Sequence, residues 1–471
     1  MKKKEGKVIN AFKWDLFGTL FKHLFVLTVS VTLARILAPE EFGIIGIALV
    51  FINLSQVLID IGFTQGLIQN QNNSQIIYSS IFFINLILGL IVSGLIFISA
   101  PFIGSFYDDK QVTEVVRLLF LIPILSSLSS VHLAILTKKL NFKAIASRKI
   151  ISSLIAGVIA IWLALNDFGV YALVAQQLTL SFLFCIIIWW QSNWRPTLEF
   201  SISETKKLMS FSGFVFLDNV LRRLFLQVDT LFIGKYFSPA TLGFYSRAAS
   251  LNTQVLDYTT GSLRKVMFPA LSRIQKDERL FESTYFEVYN LSAFIGSLAC
   301  GCLYLLSEDI ILLLLGEKWR PSILIFQILV FRILLGPFGA LIGKSLLAKG
   351  FSKEKFKLGL LRRIILLGPL FWAYLFGGIN AFASALVIAN FIGFILSLVW
   401  SHRLLHFSFF LQLKLFFQPI FPVLLMIALD LFFDESNSIL LVLFFTVMYF
   451  AYSIITKAPG FNFLLSRLKR S

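Results

Sequence analysis

The seventh apolar stretch of the chain carries the side chains whose types and spacing point most directly to chemistry. Its sequence is SGFVFLDNVLRRLFLQVDTLFIGKYF, and Asp218, Arg222 and Asp229 fall on one face of a helix at positions i, i+4 and i+11. Arg223 and Gln227 flank that face. A charge exposed to hydrocarbon costs about 2.5–3.5 kcal/mol on insertion scales, so this stripe is expected to face a water-filled lumen. The alternative is that Asp218 and Arg222 pair with each other only to insert the helix.

The first apolar stretch carries charges at a comparable place. Asp15 and Lys22 lie seven residues apart, again on one helix face, with His23 beside Lys22. This pair is expected to support the polar lining formed by the seventh stretch. A position for Asp15 at the cytoplasmic interface is an equally good interpretation.

Further cations lie in the second half of the chain. Arg247 is near the start of the eighth apolar stretch, and Arg332 lies deep in the tenth. Lys344, Arg362 and Arg363 lie near predicted helix ends, where long side chains can reach the lipid headgroups. The excess of intramembrane charge is positive, which favours an anionic ligand.

Motifs for covalent catalysis, metal binding and nucleotide binding are absent from the sequence. It contains no HExxH, GxSxG or CxxC, and its four histidines are scattered. The segment GALIGKS at 339–345 resembles a phosphate-binding loop, but Phe338 replaces the first glycine and the segment lies inside an apolar run. The three cysteines, Cys185, Cys300 and Cys302, also lie in apolar runs. We therefore expect no catalytic residue, no metal and no cofactor.

The composition of the chain is that of a membrane protein, so these charges are expected to lie on membrane-spanning helices. Of the 471 residues, 57% are hydrophobic and 14% are charged, and the mean hydropathy is +0.83. Soluble domains have about 45–50% apolar and about 25% charged residues. The net charge of +17 resides mostly in short loops, which indicates membrane topology and excludes nucleic acid as the expected partner.

Apolar stretches long enough to cross a bilayer recur along the whole chain, about fourteen in number. They cover residues 14–35, 43–67, 76–103, 112–136, 147–165, 169–190, 208–234, 242–267, 282–306, 322–347, 357–376, 379–401, 411–432 and 438–456. About 28 of the 42 Lys and Arg residues fall in alternate connections, against about 4 in the others. This asymmetry predicts an all-α polytopic membrane protein with both termini cytoplasmic.

An internal repeat links the two halves. Residues 35–48 read RILAPEEFGIIGIA and residues 235–248 read KYFSPATLGFYSRA, which aligns Pro39 with Pro239 and Gly43 with Gly243. A weaker match pairs Gly169 with Gly378. The spacing equals about six stretches, an even number, so the halves would be parallel repeats. Chance similarity between apolar loops is the alternative.

Three segments resemble a known family: LARILAPEEFGIIGIALVFINLSQVLIDIGFTQGLIQ at 33–69, DTLFIGKYFSPATLGFYSRAASL at 229–251 and VMFPALSRIQKD at 266–277. They are similar to the Wzx-like lipopolysaccharide and capsule flippases of the multidrug/oligosaccharidyl-lipid/polysaccharide (MOP) exporter superfamily. The resemblance covers residues 1–400 well. It implies a six-helix bundle at 1–200, a second at 201–405, a central cationic cavity, and two additional helices at 406–471.

The resemblance also implies a function. The family moves lipid-linked oligosaccharides, typically on undecaprenyl diphosphate, from the cytoplasmic to the outer leaflet of the bacterial inner membrane. We expect Arg222, Arg223, Arg247 and Arg332 to contact such a substrate, with Asp15, Lys22, Asp218, Asp229 and Lys344 as supporting polar residues. Membrane lipids are expected partners, and a coupling cation and the glycan polymerase and chain-length machinery are further candidates.

Two other functions remain open at this point. A cation-coupled multidrug exporter of the same superfamily should have an acidic site, whereas the buried excess here is positive. A membrane-embedded polysaccharide polymerase or glycosyltransferase should have a large extracytoplasmic loop, whereas the longest outer connection, 307–321, has about 15 residues. A lipid scramblase and a purely structural membrane protein have less support.

Overall fold

The computed structural model describes residues 25–59, 67, 74–139, 141–201, 220–430 and 438–468. These residues are almost entirely helical, and no strand occurs among them. The helices are α1 Phe25–Ile36, α2 Pro39–Ile59, α3 Gln75–Tyr107, α4 Lys110–Leu119, α5 Leu121–Lys138, α6 Phe142–Leu165, α7 Val170–Gln191, α8 at 220–236, α9 Pro239–Arg273, α10 Glu278–Leu305, α11 Ser307–Leu315, α12 Ser322–Ala348, α13 Ser352–Ile365, α14 Gly368–Phe376, α15 Ile379–Leu405, α16 Phe409–Phe417, α17 Phe421–Asp430, α18 Ser438–Ile455 and α19 Pro459–Leu468.

Helices are expected from this apolar composition, because a backbone in hydrocarbon must satisfy its hydrogen bonds within the segment. Nine helices among the described residues are long and apolar enough to cross a bilayer, or ten if the bent pair α16 and α17 counts as one span. The predicted all-helical, multi-span class is thereby confirmed. The count of fourteen and the layout in two six-helix bundles stay predictions.

Prolines break several predicted stretches into shorter helices. The stretch 357–376 is divided between α13 and α14, and α14 has Pro369 in its first turn. The stretch 411–432 bends by 41° between α16 and α17, where Pro419 and Pro422 lie. Proline has no N–H to donate, so it suits a helix start, although Pro101, Pro269 and Pro337 lie inside α3, α9 and α12.

The residues form two compact units, Met1–Gly243 and Phe244–Ser471. In the first unit, α6 packs along α7, and α3 packs along α4 and α5. Its core includes Ile81, Phe82 and Val131, with Trp189 and Trp194 against them. Side-chain amides complete the packing, since Asn85 Nδ2 donates to Ser130 Oγ at 2.8 Å.

In the second unit, α12 packs between α10 and α15. Two buried tyrosines of α10 fix α16, because Tyr285 Oη donates to Gln412 Oε1 at 2.8 Å and Tyr289 Oη donates to the Gln412 carbonyl at 2.9 Å. The C-terminal helices α18 and α19 also pack on α10. Tyr449 Oη of α18 donates to the Phe294 carbonyl at 2.8 Å, so these helices are integral to the unit.

The predicted membrane orientation can be tested by labelling single cysteines. Glu41 is unsuitable because its carboxylate accepts the Ala38 N–H at 2.6 Å, whereas Glu40 and Lys355 are exposed. We expect Glu40→Cys to react with an impermeant maleimide in intact cells, and Lys355→Cys to react only after permeabilisation. The unsubstituted protein is the control, since its cysteines are buried or half-buried. Labelling of both variants from outside would exclude the predicted topology.

Candidate functional site

The two copies of the internal repeat meet in the first unit. A Cβ at Gly43 would overlap the carbonyl group of Pro239, with the carbonyl carbon at 2.6 Å, and a Cβ at Gly243 would overlap the carbonyl group of Pro39, with its carbon at 2.8 Å. Each glycine therefore packs against the proline of the other copy. This reciprocal contact has approximate two-fold character, and it favours a true repeat over chance similarity.

The end of α8 lies against the end of α3, next to this contact. A Cβ at Gly234 would lie 3.1 Å from the ring of Tyr107, and Tyr107 Oη donates to the Leu231 carbonyl at 3.4 Å. Lys235 Nζ donates to the Phe106 carbonyl at 2.5 Å and pairs with Asp108 at 3.1 Å. Asp108 is 83% exposed, so the ion pair positions the two ends and stabilises them only weakly, by less than about 1 kcal/mol.

An apolar cavity of about 530 Å³ lies between α2, α3 and α8. Its walls are mostly aromatic and include Phe51, Phe102, Phe106 and Phe232, with Lys235 at one end. Such walls suit hydrocarbon, and the one cation among the lining residues, Lys235, is already paired with Asp108. The cavity is therefore better suited to an apolar group than to the charged ligand expected from the sequence.

The structure distributes the predicted site residues over both units. In the first unit, Arg222 and Arg223 are exposed on α8, and Asp229 is half-buried on the same face as Arg222. Arg247 on α9 and Arg332 in the middle of α12 are half-buried residues of the second unit. Their convergence on one cavity stays a prediction.

The residues predicted to support the site fall only partly within the described part of the chain. Lys344 is half-buried near the end of α12, and its Nζ lies 5.7 Å from the ring centroid of Phe268. An aromatic face can stabilise a lysine in this way. Asp15, Lys22 and Asp218 lie outside the described residues. Within the described part of the chain, no cluster of His, Cys, Asp and Glu could hold a metal ion.

Two arginines have more specific surroundings than the sequence indicated. Arg148, which the sequence analysis did not single out, is 4% exposed and lies over the ring of Phe184 at 4.8 Å. Arg362, which the sequence placed at a headgroup interface, packs its guanidinium against Gly339 and Gly393. The similar tetrapeptides RKII at 148–151 and RRII at 362–365 could have linked the two positions.

The connection 307–321 is folded and carries an ion-pair network. Arg320 Nε donates to Glu317 Oε2 at 3.0 Å, and Arg320 Nη1 donates to Glu308 Oε1 at 2.8 Å. The hydrogen bond from Arg320 holds the pKa of Glu317 below its usual range. Both carboxylates accept hydrogen bonds from an arginine, which is a poor arrangement for a general acid.

The fold is that of MOP superfamily transporters. The solved structure of the lipid II flippase MurJ in an inward closed conformation matches 94% of this chain and 98% of that chain, with a TM-score of 0.73 and 14% identity. The inward-facing structure of a multidrug resistance MATE family transporter of the MOP superfamily matches 82% of this chain and 94% of that chain, with a TM-score of 0.66 and 16% identity.

The sequence defines the family within that fold. The family model described as "Polysaccharide biosynthesis protein" matches residues 32–324, and the chain belongs to this family. The lipopolysaccharide biosynthesis protein WzxC of Escherichia coli K12 is 24% identical over 366 residues, which are 76% of this chain and 73% of that protein. The predicted resemblance to Wzx-like flippases is thereby confirmed.

The contact between the repeat copies leads to a stability prediction. We expect Gly43→Ala and Gly243→Ala each to destabilise the protein by about 1–3 kcal/mol, because the new methyl group would overlap backbone. Thermal unfolding of the purified protein in detergent should show lower midpoints. Gly46→Ala in the same helix is the control, since its Cβ would meet only a Leu242 side chain at 3.8 Å. Equal midpoints for the Gly43 and Gly46 variants would contradict the described contact.

Proposed function

We propose that this protein is a flippase that moves a lipid-linked oligosaccharide, carried on undecaprenyl diphosphate, from the cytoplasmic to the outer leaflet of the bacterial inner membrane. The observation that carries the proposal is the presence of half-buried arginines on long helices, among them Arg332 on an apolar span, in a chain of the polysaccharide biosynthesis family. WzxC is named for lipopolysaccharide biosynthesis and MurJ is titled a lipid II flippase. Both names fit a cargo made of a lipid and a glycan.

The chemistry of the cargo explains why the cations are arginines. The lipid tail can remain in hydrocarbon, but the diphosphate and sugars need a polar path, because an unpaired charge is very costly to desolvate. The planar guanidinium binds phosphate oxygens through two parallel charge-assisted hydrogen bonds. Arg222, Arg223, Arg247 and Arg332 are the residues proposed to provide them.

Transport also requires the substrate path to open to each side of the membrane in turn. The contact between the two copies of the repeat is suited to such a change. In this proposal the chain forms two six-helix bundles, 1–200 and 201–405, with two further helices in 406–471 and both termini in the cytoplasm. The reciprocal packing of Gly43 on Pro239 and Gly243 on Pro39 would close one side of the transporter. Opening that side would separate both contacts at once, as in the rocking of repeat-built transporters. A coupling cation and the polymerase machinery are proposed partners.

Two alternatives are less well supported. A multidrug exporter for cationic drugs would need acidic residues, whereas the described intramembrane set is dominated by Arg222, Arg247, Arg332 and Lys344. A polymerase would need reactive groups outside the membrane, whereas Glu308 and Glu317 of the connection 307–321 are paired with Arg320.

Charge reversal in the proposed path should stop export. We expect Arg222→Glu and Arg332→Glu each to abolish the cell-surface glycan, with the lipid-linked intermediate accumulating on the cytoplasmic side, because a glutamate repels the diphosphate. Arg→Lys at either position should retain part of the activity, since the charge remains and the bidentate geometry is lost. Immunoblots of surface glycan and extraction of labelled lipid intermediates measure the two effects.

The control for this experiment is Arg279→Glu. Arg279 is exposed in the first turn of α10, where a glutamate is compatible with the helix dipole. All variants should insert in the membrane at normal levels, which membrane fractionation can verify. Normal surface glycan in an Arg222→Glu, Arg332→Glu double variant would refute the proposed role of these cations.

A further inference from the structure

Two arginines lie in corresponding stretches of the internal repeat. Arg148 begins the tetrapeptide RKII at 148–151 in α6, and Arg362 begins RRII at 362–365 in α13. The offset of 214 residues is close to the offsets of 200 and 209 found for the other repeat matches. The two helices belong to the fifth and eleventh predicted stretches, which are six stretches apart. The repeat therefore provides one such arginine in each half of the chain.

In the first unit, Arg148 is a buried cation for which the described residues supply no hydrogen-bond acceptor. Its side chain is 4% exposed, and Nε has no hydrogen-bond partner among the described residues. The guanidinium lies over Phe184 at 4.8 Å from the ring centroid. Ser152, one helical turn further along α6, is fully buried, and its Oγ likewise has no partner in the described part of the chain.

In the second unit, Arg362 occupies a crevice formed by glycines. A Cβ at Gly339 of α12 would lie 2.7 Å from Nη1, and a Cβ at Gly393 of α15 would lie 3.3 Å from Nε. Any larger residue at position 339 would displace the guanidinium. Among the described residues, no hydrogen bond or ion pair involves the Arg362 side chain. The helices around Arg362 thus hold its guanidinium in place, and the part of the chain that the structure describes supplies no counter-charge for it.

A buried cation without an anion is unfavourable, so its retention on a membrane helix indicates a ligand. A guanidinium that makes no protein hydrogen bond keeps its planar set of donors available, and this set matches the oxygens of a phosphate. We propose that Arg148 and Arg362 each bind a phosphate group of a lipid, one site in each unit. Both the lipid-linked substrate and ordinary anionic phospholipid carry phosphate. The assignment of these sites to the substrate rests on the proposed function, whereas their assignment to phospholipid does not.

Binding to purified full-length protein in detergent micelles tests the proposal. The probes are undecaprenyl diphosphate and, separately, phosphatidylglycerol, with phosphatidylethanolamine as the zwitterionic reference. We expect Arg148→Gln and Arg362→Gln each to weaken binding about tenfold or more, the effect of losing a charge-assisted hydrogen bond. Arg320→Gln is the matched control, since Arg320 is exposed and bound to Glu308 and Glu317. Its affinity for both probes should equal that of the unsubstituted protein.

Thermal unfolding separates a ligand site from a structural role. Removal of a buried charge that has no partner should leave the lipid-free protein equally or more stable, while the rise in melting temperature on addition of lipid should shrink in both variants. Arg→Lys at either position should restore part of that rise. A lower melting temperature of the lipid-free Gln variants, together with unchanged lipid affinity, would overturn the proposal.

The two probes also distinguish this inference from the proposed function. Tighter binding of undecaprenyl diphosphate than of phosphatidylglycerol, with loss in both Gln variants, supports substrate phosphate sites. Equal binding of the two lipids, again lost in the variants, supports sites for bilayer phosphate. Undiminished binding of undecaprenyl diphosphate by both variants would refute the sites and leave the proposed function intact.

Discussion

The cost of placing charge in hydrocarbon is the constraint on which the rest of this molecule depends. A helix can satisfy its own backbone in a bilayer, but it cannot satisfy a guanidinium. Arg332 nevertheless lies in the middle of α12, and Arg148 is buried against Phe184 in α6. A chain that needed only to insert in the membrane would gain stability from apolar residues at these positions. The presence of these two arginines is understandable when a ligand supplies a negative charge that the described helices do not provide.

Close backbone contact is the second structural principle, and glycine makes it possible. Gly43 and Gly243 let the starts of α2 and α9 approach to backbone distance, and Gly339 gives Arg362 its space. Small residues serve membrane helices in this way because lipid provides no hydrophobic force between helices and packing must replace it. The Gly43 and Gly243 contacts join the same two helix starts, so each contact needs the same close approach of α2 and α9 as the other. A pair of this kind forms or separates as one unit, which suits a transporter with two states.

The sequence was sufficient for the class of fold and for most helix positions, because both depend on local hydrophobicity. It was insufficient where distant residues decide. The stretch predicted at 357–376 is two helices, with Pro369 in the first turn of the second. Nothing in the sequence indicated that Arg362 packs against Gly339 and Gly393, which are 23 and 31 residues away. Arg148 was overlooked because it lies at the start of a predicted stretch. Depth along a helix can be read from sequence, whereas the neighbours on the other helices cannot.

Several moderate cation sites suit transport better than one strong site. A headgroup that met all its counter-charges at a single point would bind tightly and leave slowly, whereas conduction through a membrane requires binding that is favourable at each stage and still reversible. Arg148, Arg222, Arg332 and Arg362 are distributed over both units, and in sequence the basic residues beside them are limited to the doublets that begin at Arg148, Arg222 and Arg362. Single guanidinium–phosphate contacts contribute about 1.5–3 kcal/mol each. Contacts of that size can hold a diphosphate on its way and still exchange it for the next.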